Sequence, residues 1–134
     1  MNSEPVILVN SPIVVGKGVL LPFDFGKITE IDVKRVFIIS DLQGSARGGH
    51  AHKNSKQALQ VINGNISCHI TNLLGKKWKF LMTPDSGMLL IEPQTWLDIV
   101  FNEASSVIVL TDTSYTENDY IRSKDIFFQN ERTS

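Results

Sequence analysis

The residues with the clearest chemical potential are two histidines, His50 and His52, which follow a glycine-rich stretch. Side chains alternate between the two faces of a strand, so residues two positions apart point the same way. On a strand, both imidazoles would therefore enter the same side of a sheet. Because imidazole exchanges a proton near neutral pH and also binds metals, the pair predicts a pocket for acid–base chemistry or for a metal.

The elements around the pair are predicted to be short β-strands. Asn63 and Gly64 stand between two apolar runs, which is a strong signal for a β-hairpin. The whole pattern predicts roughly ten strands and a polar, locally helical segment after residue 114, typical of an all-β sandwich or barrel. Residues 19–23 and 31–40 are predicted as strands, the latter buried, residues 41–49 as a loop, and residues 129–134 as a polar tail.

Composition excludes several classes of function. A chain of 134 residues with a formal net charge of −1 predicts one domain and no overall field for nucleic acid. The single cysteine, Cys68, excludes an intramolecular disulfide and is expected to be a buried apolar side chain. No apolar run reaches the ~18 residues of a membrane helix, and no signal peptide is evident. We therefore expect one cytoplasmic domain over residues 1–134 that does not contact membranes.

Five positions around the histidines resemble the first motif of the cupin superfamily. They are Gly44, His50, His52, Gln57 and Gly64, in the order Gly-x5-His-x-His-x4-Gln-x6-Gly. Pro93 and Asn102 fit the spacing of the second, weaker cupin motif. The resemblance implies a jelly-roll barrel, also called a double-stranded β-helix, with both motifs facing its interior.

Many cupins bind a divalent metal at these positions. The resemblance would make His50, His52, Gln57 and Asp98 the ligands, and two imidazoles with a carboxylate can hold a metal. However, neutral Gln57 stands where these cupins have glutamate, and Asp98 stands where they have a third histidine. We therefore predict a site without a metal or other cofactor, and keep a metal-dependent cupin as the less favoured alternative.

A narrower resemblance covers most of the chain. Residues 47–53 read Arg-Gly-Gly-His-Ala-His-Lys, with Gln57 four positions further on. This resembles the Arg-Gly-x-His-Ala-His-Lys-x4-Gln signature of the WxcM-like sugar-nucleotide 3,4-ketoisomerases. Residues 93–96 resemble the family's Pro-x-x-Trp, and residues 115–122 resemble its ending, Tyr-x-Glu-x-Asp-Tyr-Ile-Arg.

The family resemblance implies a metal-independent isomerase that acts on a dTDP-4-keto-6-deoxyhexose and supplies a sugar for surface polysaccharide such as O-antigen. A base removes the proton at C3, an enediol or enediolate forms, and an acid returns a proton at C4. The resemblance points to His50 and His52 as catalytic residues, with His52 favoured as the base. Two alternatives stay open: a cupin that binds a nucleotide sugar without turnover, and an isomerase or epimerase of another keto-sugar.

Six residues are predicted to contact the substrate: Lys17, Arg35, Arg47, Gln57, Trp96 and Arg122. Arg47 is the best candidate for the phosphates, because a guanidinium fork matches phosphate oxygens. Lys17 stands where the family usually has arginine and offers only a point charge. Arg35 and Arg122 are equally compatible with structural ion pairs, and Trp96 with filling the barrel.

Besides Lys17, three positions depart from the family pattern. Phe37 and Ile38 stand where relatives commonly carry tyrosine, and Leu97 stands where they carry histidine. These replacements predict a less polar pocket. They leave the identity of the hexose in the substrate undetermined. The family also implies a homodimer, often with an exchanged N-terminal strand, for which the apolar segment 6–15 is suitable. Phe127 and Phe128 are expected to pack the terminal segment onto the barrel or onto a partner.

Overall fold

The computed structural model describes residues 4–133, with side chains through Gln129. The strands within these residues are β1 (Val6–Leu8), β2 (Ile13–Val15), β3 (Gly18–Leu20), β4 (Arg35–Asp41), β5 (Ala46–His52), β6 (Gln57–Asn63), β7 (Ile66–Thr71), β8 (Lys77–Met82), β9 (Met88–Ile91), β10 (Trp96–Phe101), β11 (Ser105–Thr111) and β12 (Tyr120–Ile121). Helix α1 spans Lys124–Thr133, and single 3₁₀ turns span Pro84–Ser86 and Glu117–Asp119.

Two five-stranded antiparallel sheets form the barrel. The first has the order β1-β9-β6-β11-β4, and the second has the order β12-β5-β10-β7-β8. Alternate residues of each strand point inward, so the two facing sides bury one apolar cluster that includes Leu59, Ile99 and Val109. Cys68 lies in the same cluster and is fully buried, as expected. The all-β jelly-roll barrel predicted from the sequence is confirmed.

Different segments cover the outer faces of the two sheets. The chain between β3 and β4 lies over the first sheet, where Phe23 packs against a buried cluster that includes Leu90. Helix α1 covers the second sheet, where Phe127 is fully buried in a cluster with Trp96. Phe128 is partly buried against the same cluster. The expected packing of the terminal segment onto the barrel is thus confirmed.

Several boundaries predicted from the sequence are wrong. Part of the predicted loop 41–49 belongs to β5, because Gly48 and Gly49 adopt positive φ angles of 85° and 68° and form a bulge within the strand. The predicted strand 19–23 ends at Leu20, and β4 begins at Arg35 instead of residue 31. Helix α1 continues to Thr133, so most of the predicted polar tail is helical.

Strand β4 and the β2–β3 hairpin expose apolar side chains. Strand β4 is an edge of the first sheet, and Ile38 on its outer side is 61% exposed, so this strand is buried on one side only. The hairpin forms a separate two-stranded sheet whose residues are all exposed, Val14 by 76%. Among the described residues, no helix is both long and apolar enough to span a membrane.

Candidate active site

The bulge in β5 decides which side chains reach the barrel interior. Successive residues of β10 pair with His50 and then with Gly48, which leaves Gly49 as the extra residue of the bulge. Beyond the bulge, Arg47 pairs with Ile99, whose side chain belongs to the inner cluster. Directly paired residues point to the same face of a sheet. Arg47 and His50 therefore share the inner face, whereas an unbulged strand would place them on opposite faces.

Three rings form one cluster at the end of β5. The centroids of His50 and His52 are 5.0 Å apart, with the ring planes perpendicular. Tyr120 on β12 pairs with His52, and its ring centroid lies 4.4 Å from that of His52 and 5.1 Å from that of His50. His52 is only 5% exposed. The structure thus brings both predicted catalytic residues together with a phenol.

A buried carboxylate holds His52 in one orientation. Asp119 Oδ2 lies 2.7 Å from His52 Nδ1, and both side chains are almost fully buried. The same carboxylate accepts hydrogen bonds from the Asn54 backbone N–H and the Ser55 hydroxyl. Burial acts to raise the pKa of Asp119, but these hydrogen bonds outweigh it and keep the pKa below its ordinary value. The carboxylate is therefore charged at neutral pH and keeps a proton on Nδ1.

Gln57 is the hydrogen-bond partner of the second ring nitrogen of His52. Its side-chain amide is hydrogen-bonded to His52 Nε2. Because Nδ1–H donates to Asp119, Nε2 of the neutral ring is the acceptor and the Gln57 N–H is the donor. His50 instead makes a hydrogen bond with the backbone of Gly48, and no described side chain is hydrogen-bonded to it. The contacts therefore leave His50, and not His52, with a ring nitrogen for a ligand.

Both histidines are neutral at physiological pH. Burial, followed by repulsion from His52, lowers the pKa of His50 from its ordinary 6.5 to about 4. Burial also lowers the pKa of His52, although Asp119 acts in the opposite direction. Arg122 lowers the pKa of both rings. A neutral imidazole can accept a proton, which is the protonation state that base catalysis requires.

A small cavity of about 40 Å³ lies beside the histidine pair, lined by His50, Gln57 and apolar side chains. Phe37 and Leu97, at positions where the family resemblance implies polar residues, are among those apolar side chains. Ile38 points to the outer side of β4 because side chains alternate along the strand. The expectation that Ile38 reduces the polarity of the pocket is therefore wrong, whereas Phe37 and Leu97 do line the cavity.

Arg35 connects the first sheet to the ring cluster. Its Nη2 donates to the Tyr120 hydroxyl at 3.3 Å. The guanidinium carbon lies 4.9 Å from the ring centroid of Phe37 and 5.3 Å from that of Tyr115. Its Nε is buried, with no hydrogen-bond partner among the described residues. The structure thus brings Arg35, one of the predicted substrate-contact residues, to the histidines.

Arg122 lies at the same end of the barrel. It donates two hydrogen bonds to Glu117, at 2.6 and 3.0 Å, and its guanidinium carbon lies 4.5 Å from the Tyr120 ring centroid. Tyr115 O–H donates to the same carboxylate at 2.7 Å. The hydrogen bonds from Arg122 and then Tyr115 lower the pKa of Glu117 to about 2. Arg122 is thus a paired cation close to the ring cluster.

Three further residues predicted to contact substrate lie outside the ring cluster. Arg47 shares the inner face with His50 but lies near the start of β5, where its Nε pairs with Asp41 Oδ2 at 2.8 Å. Lys17 lies in the turn of the β2–β3 hairpin. Trp96 is 4% exposed on the outer face of the second sheet, beneath α1. The prediction of a substrate contact finds no support in this placement of Trp96, whose ring fills the outer core and points away from the cavity.

Asp98, the remaining candidate metal ligand, does not join the histidines. Its neighbours along β10, Leu97 and Ile99, belong to the inner cluster, so Asp98 points outward, where it accepts a hydrogen bond from Trp96 Nε1 at 3.0 Å. Within residues 4–133 no group of three or more His, Cys, Asp and Glu side chains is arranged to hold a metal ion. The ligand set implied by the cupin resemblance is therefore not assembled on one face.

Sequence reasoning missed Ser55, Asp119 and Tyr120 as parts of the site. Asp119 and Tyr120 belong to the matched ending 115–122, which was the available signal. Their roles depend on a 3₁₀ turn and a two-residue strand that bring this ending beside β5. Strand periodicity does not predict such a pairing between distant segments.

The antiparallel jelly roll, with two histidines and a glutamine facing its interior, defines a cupin-type barrel protein. A family model described as "FdtA: WxcM-like, C-terminal" matches residues 10–132. The chain belongs to this WxcM-like family.

Individual relatives are similar over nearly the whole chain. TDP-4-oxo-6-deoxy-alpha-D-glucose-3,4-oxoisomerase of Aneurinibacillus thermoaerophilus is 33% identical over 121 residues, covering 86% of this chain and 84% of the relative. WlaRA, a TDP-fucose-3,4-ketoisomerase from Campylobacter jejuni, is 28% identical with a TM-score of 0.82, over 97% of this chain and 96% of that chain. QdtA, a sugar 3,4-ketoisomerase from Thermoanaerobacterium thermosaccharolyticum in complex with TDP, has a TM-score of 0.88 at 24% identity, over 99% of this chain and 98% of that chain, and supports the fold.

Proposed function

We propose that this protein is a metal-independent 3,4-ketoisomerase of a TDP-linked 4-keto-6-deoxyhexose. Two relatives, 33% and 28% identical, are a 3,4-oxoisomerase and a 3,4-ketoisomerase of TDP-sugars. The observation that carries the proposal is the neutral imidazole of His50, which borders the inner cavity and has no side-chain hydrogen-bond partner among the described residues. A ring in this state can take a proton from a bound sugar.

His50 is the proposed base at C3. The C3 proton lies next to the C4 carbonyl, so its removal leaves an enediolate in which the negative charge is shared with oxygen. Protonated His50 then returns the proton at C4. The sequence alone favours His52 as the base, but both nitrogens of that ring are engaged, by Asp119 and Gln57. His52 with its carboxylate partner instead orients the site and offsets the positive charge that develops on His50.

The proposed binding of the TDP group relies on the cations near the cavity. Arg35 and Arg122 both act to lower the pKa of His52, so both guanidinium groups lie close to the ring cluster. Arg122 is paired with Glu117, whereas Arg35 belongs to none of the ion pairs among the described residues. A guanidinium group suits the oxygens of a negatively charged diphosphate. Arg47 is a second candidate on the same inner face, and its pairing with Asp41 must open before it can bind a phosphate. Gln57 lines the cavity and is the proposed contact to the hexose.

The proposed working unit is a homodimer with exchanged hairpins. A two-stranded hairpin alone is at best marginally stable in water, yet β2–β3 pairs with no other described strand and exposes all its residues. Strand β4 offers an unpaired edge with exposed Val36 and Ile38. Packing the hairpin on the β4 edge of the partner subunit would cover both apolar surfaces. Lys17, in the turn of the hairpin, would then contact the substrate that is bound to the partner subunit.

Incubation with TDP-4-keto-6-deoxyglucose in deuterated water tests the activity. We expect NMR to detect the 3-keto isomer with deuterium in the hexose ring. His50→Asn removes the proposed base and is expected to lower kcat by at least about 10²-fold. His69→Asn is the matched control, because His69 is exposed on β7 outside the cavity, and should keep wild-type activity.

The outcome of this experiment separates catalysis from simple binding. If several TDP-linked keto-sugars bind but return unchanged and without deuterium, the protein is a binding cupin and the proposed activity is wrong. If His50→Asn isomerises at the wild-type rate while His52→Asn does not, the assignment of the base reverts to His52.

A further inference from the structure

The two phenols of this chain are placed differently with respect to the histidine pair. The sequence contains two tyrosines, and Phe37, which lines the cavity, has no hydroxyl. Tyr115 is 57% exposed, and its O–H donates to Glu117 at 2.7 Å. Tyr120 instead packs against both histidines, with ring centroids 4.4 and 5.1 Å away. Tyr120 is therefore the only phenol of the chain in contact with the proposed base.

Arg35 directs a positive charge at the hydroxyl of Tyr120. Its Nη2 donates to the phenol oxygen at 3.3 Å, and none of the ion pairs among the described residues includes Arg35. Its buried Nε has no hydrogen-bond partner in the same set. A cation that is not neutralised by a carboxylate stabilises a nearby phenolate strongly when water is partly excluded.

We propose that Tyr120 is a catalytic residue that carries a proton between the O4 and O3 oxygens of the hexose. This inference rests on the proposed 3,4-ketoisomerase function, which requires two proton transfers. The carbon-bound proton moves from C3 to C4 through His50. The oxygen-bound proton must move in the opposite sense, because O4 begins as a carbonyl and ends as a hydroxyl.

The steps balance without an external reagent. His50 removes the proton at C3, a C3–C4 double bond forms, and O4 takes the proton of the Tyr120 hydroxyl. Arg35 stabilises the resulting phenolate. The phenolate then removes the proton of the C3 hydroxyl, the C3 carbonyl forms, and C4 takes the proton from His50. Both side chains return to their starting protonation states.

Tyr120→Phe separates the two proton transfers. This variant keeps the ring packing and removes only the hydroxyl, so kcat for isomerisation is expected to fall by about 10²–10⁴-fold with little change in KM. Exchange of the C3 proton with deuterated water needs only His50. We therefore expect the ratio of exchange to isomerisation to rise well above the wild-type value. Tyr115→Phe is the control and should keep the wild-type kcat and ratio.

Arg35→Gln is the second variant, since it keeps a hydrogen-bond donor but removes the charge. We expect it to lower kcat and to raise the ratio of exchange to isomerisation, as in Tyr120→Phe. Loss of TDP binding alone would leave this ratio unchanged, so the ratio decides the question if Tyr120→Phe does not fold by circular dichroism. Wild-type isomerisation in folded Tyr120→Phe, or an unchanged ratio of exchange to isomerisation, overturns the role of Tyr120. If the wild type shows neither isomerisation nor exchange of the C3 proton, the proposed function is wrong, and the role of Tyr120 is overturned with it.

Discussion

Each histidine of the pair has its own partners, and these partners give two chemically identical side chains different environments. His52 is held between Asp119 and Gln57, which engage both ring nitrogens. His50 borders the cavity, and burial is the largest cause of its lowered pKa. The contrast arises from burial and hydrogen bonding, since the two side chains stand on the same face of the same strand.

The lowered pKa of His50 predicts that stability declines in mild acid. The unfolded chain takes up a proton at His50 near its ordinary pKa of 6.5, whereas the folded protein does so only near 4. The folded state therefore binds fewer protons in this window, and the contribution of His50 to stability, complete above pH 6.5, is lost as pH falls towards about 4. The loss from this group is at most about 3 kcal/mol.

Urea unfolding at several pH values between about 7.5 and about 4.5 measures this effect. His50→Gln removes the group and is expected to flatten the pH dependence relative to the wild type. An equal free energy of unfolding at both ends of the range would contradict the prediction, as would an unchanged slope in the variant. The lowered pKa of His52 contributes in the same direction. Some pH dependence of the free energy of unfolding is therefore expected to remain in His50→Gln.

Strand β5 shows how an irregular element can serve a site better than a regular one. Gly48 pairs with Asp98 at the bulge, and its φ of 85° lies in the region that favours glycine. The extra residue places Arg47 and His50 on the same inner face. Because of the bulge, Arg47 and His50 point to the same face although they are three positions apart, a spacing that would place them on opposite faces of a regular strand.

Gly48→Ala is expected to destabilise the fold and to impair the site. An added Cβ would lie 2.7 Å from the backbone oxygen of Leu97, so β5 or β10 must shift. Gly75→Ala is the matched control, because Gly75 has a similar φ of 83° but nothing within 4 Å of the added Cβ. Both variants carry the cost of the left-handed conformation, and we expect Gly48→Ala to lose about 1–3 kcal/mol more.

Thermal or urea unfolding of the two glycine variants gives the comparison, and the isomerase assay gives the effect on the site. We expect activity to fall in Gly48→Ala and to be retained in Gly75→Ala. Equal losses of stability in the two variants would mean that the contact with β10 is not important.

Considered as a whole, the molecule covers one side of its barrel and leaves another open. Helix α1 buries the outer face of the second sheet, while the edge strand β4 and the β2–β3 hairpin expose apolar side chains. Exposed apolar edges favour association with another chain. The hairpin exchange proposed above would remove both exposures in one step.

Sedimentation equilibrium tests this assembly, and we expect the wild type at twice the 15.0 kDa mass of the chain. Val14→Asp and Ile38→Asp place a charge on the two surfaces and should shift the protein towards the monomer, because burying an unpaired carboxylate is costly. Leu81→Asp is the control: Leu81 is 60% exposed on β8, an edge of the other sheet, and the variant should stay dimeric. A monomeric wild type would contradict the proposed homodimer.

The sequence by itself determined the features that depend on local order. Alternating apolar residues and turn signals predicted the all-β barrel, and the motif containing His50 and His52 predicted the family and the residues of interest. Periodicity could not predict the bulge, because the glycines also suit a loop and only pairing with β10 selects the strand. It misjudged Ile38 because a strand at a sheet edge is buried on one side only.

Only the tertiary structure decided which groups meet. Asp119, Tyr120 and Arg35 reach the histidines from segments far apart in the chain, and their contacts arise because β12 pairs with β5 while β4 lies in the facing sheet. Trp96 and Asp98 were placed outside the cavity by the alternation of β10 in register with its neighbours. Orientation, burial and partner choice are properties of packed strands, so the different hydrogen-bond partners of His50 and His52 arise only once the barrel is closed.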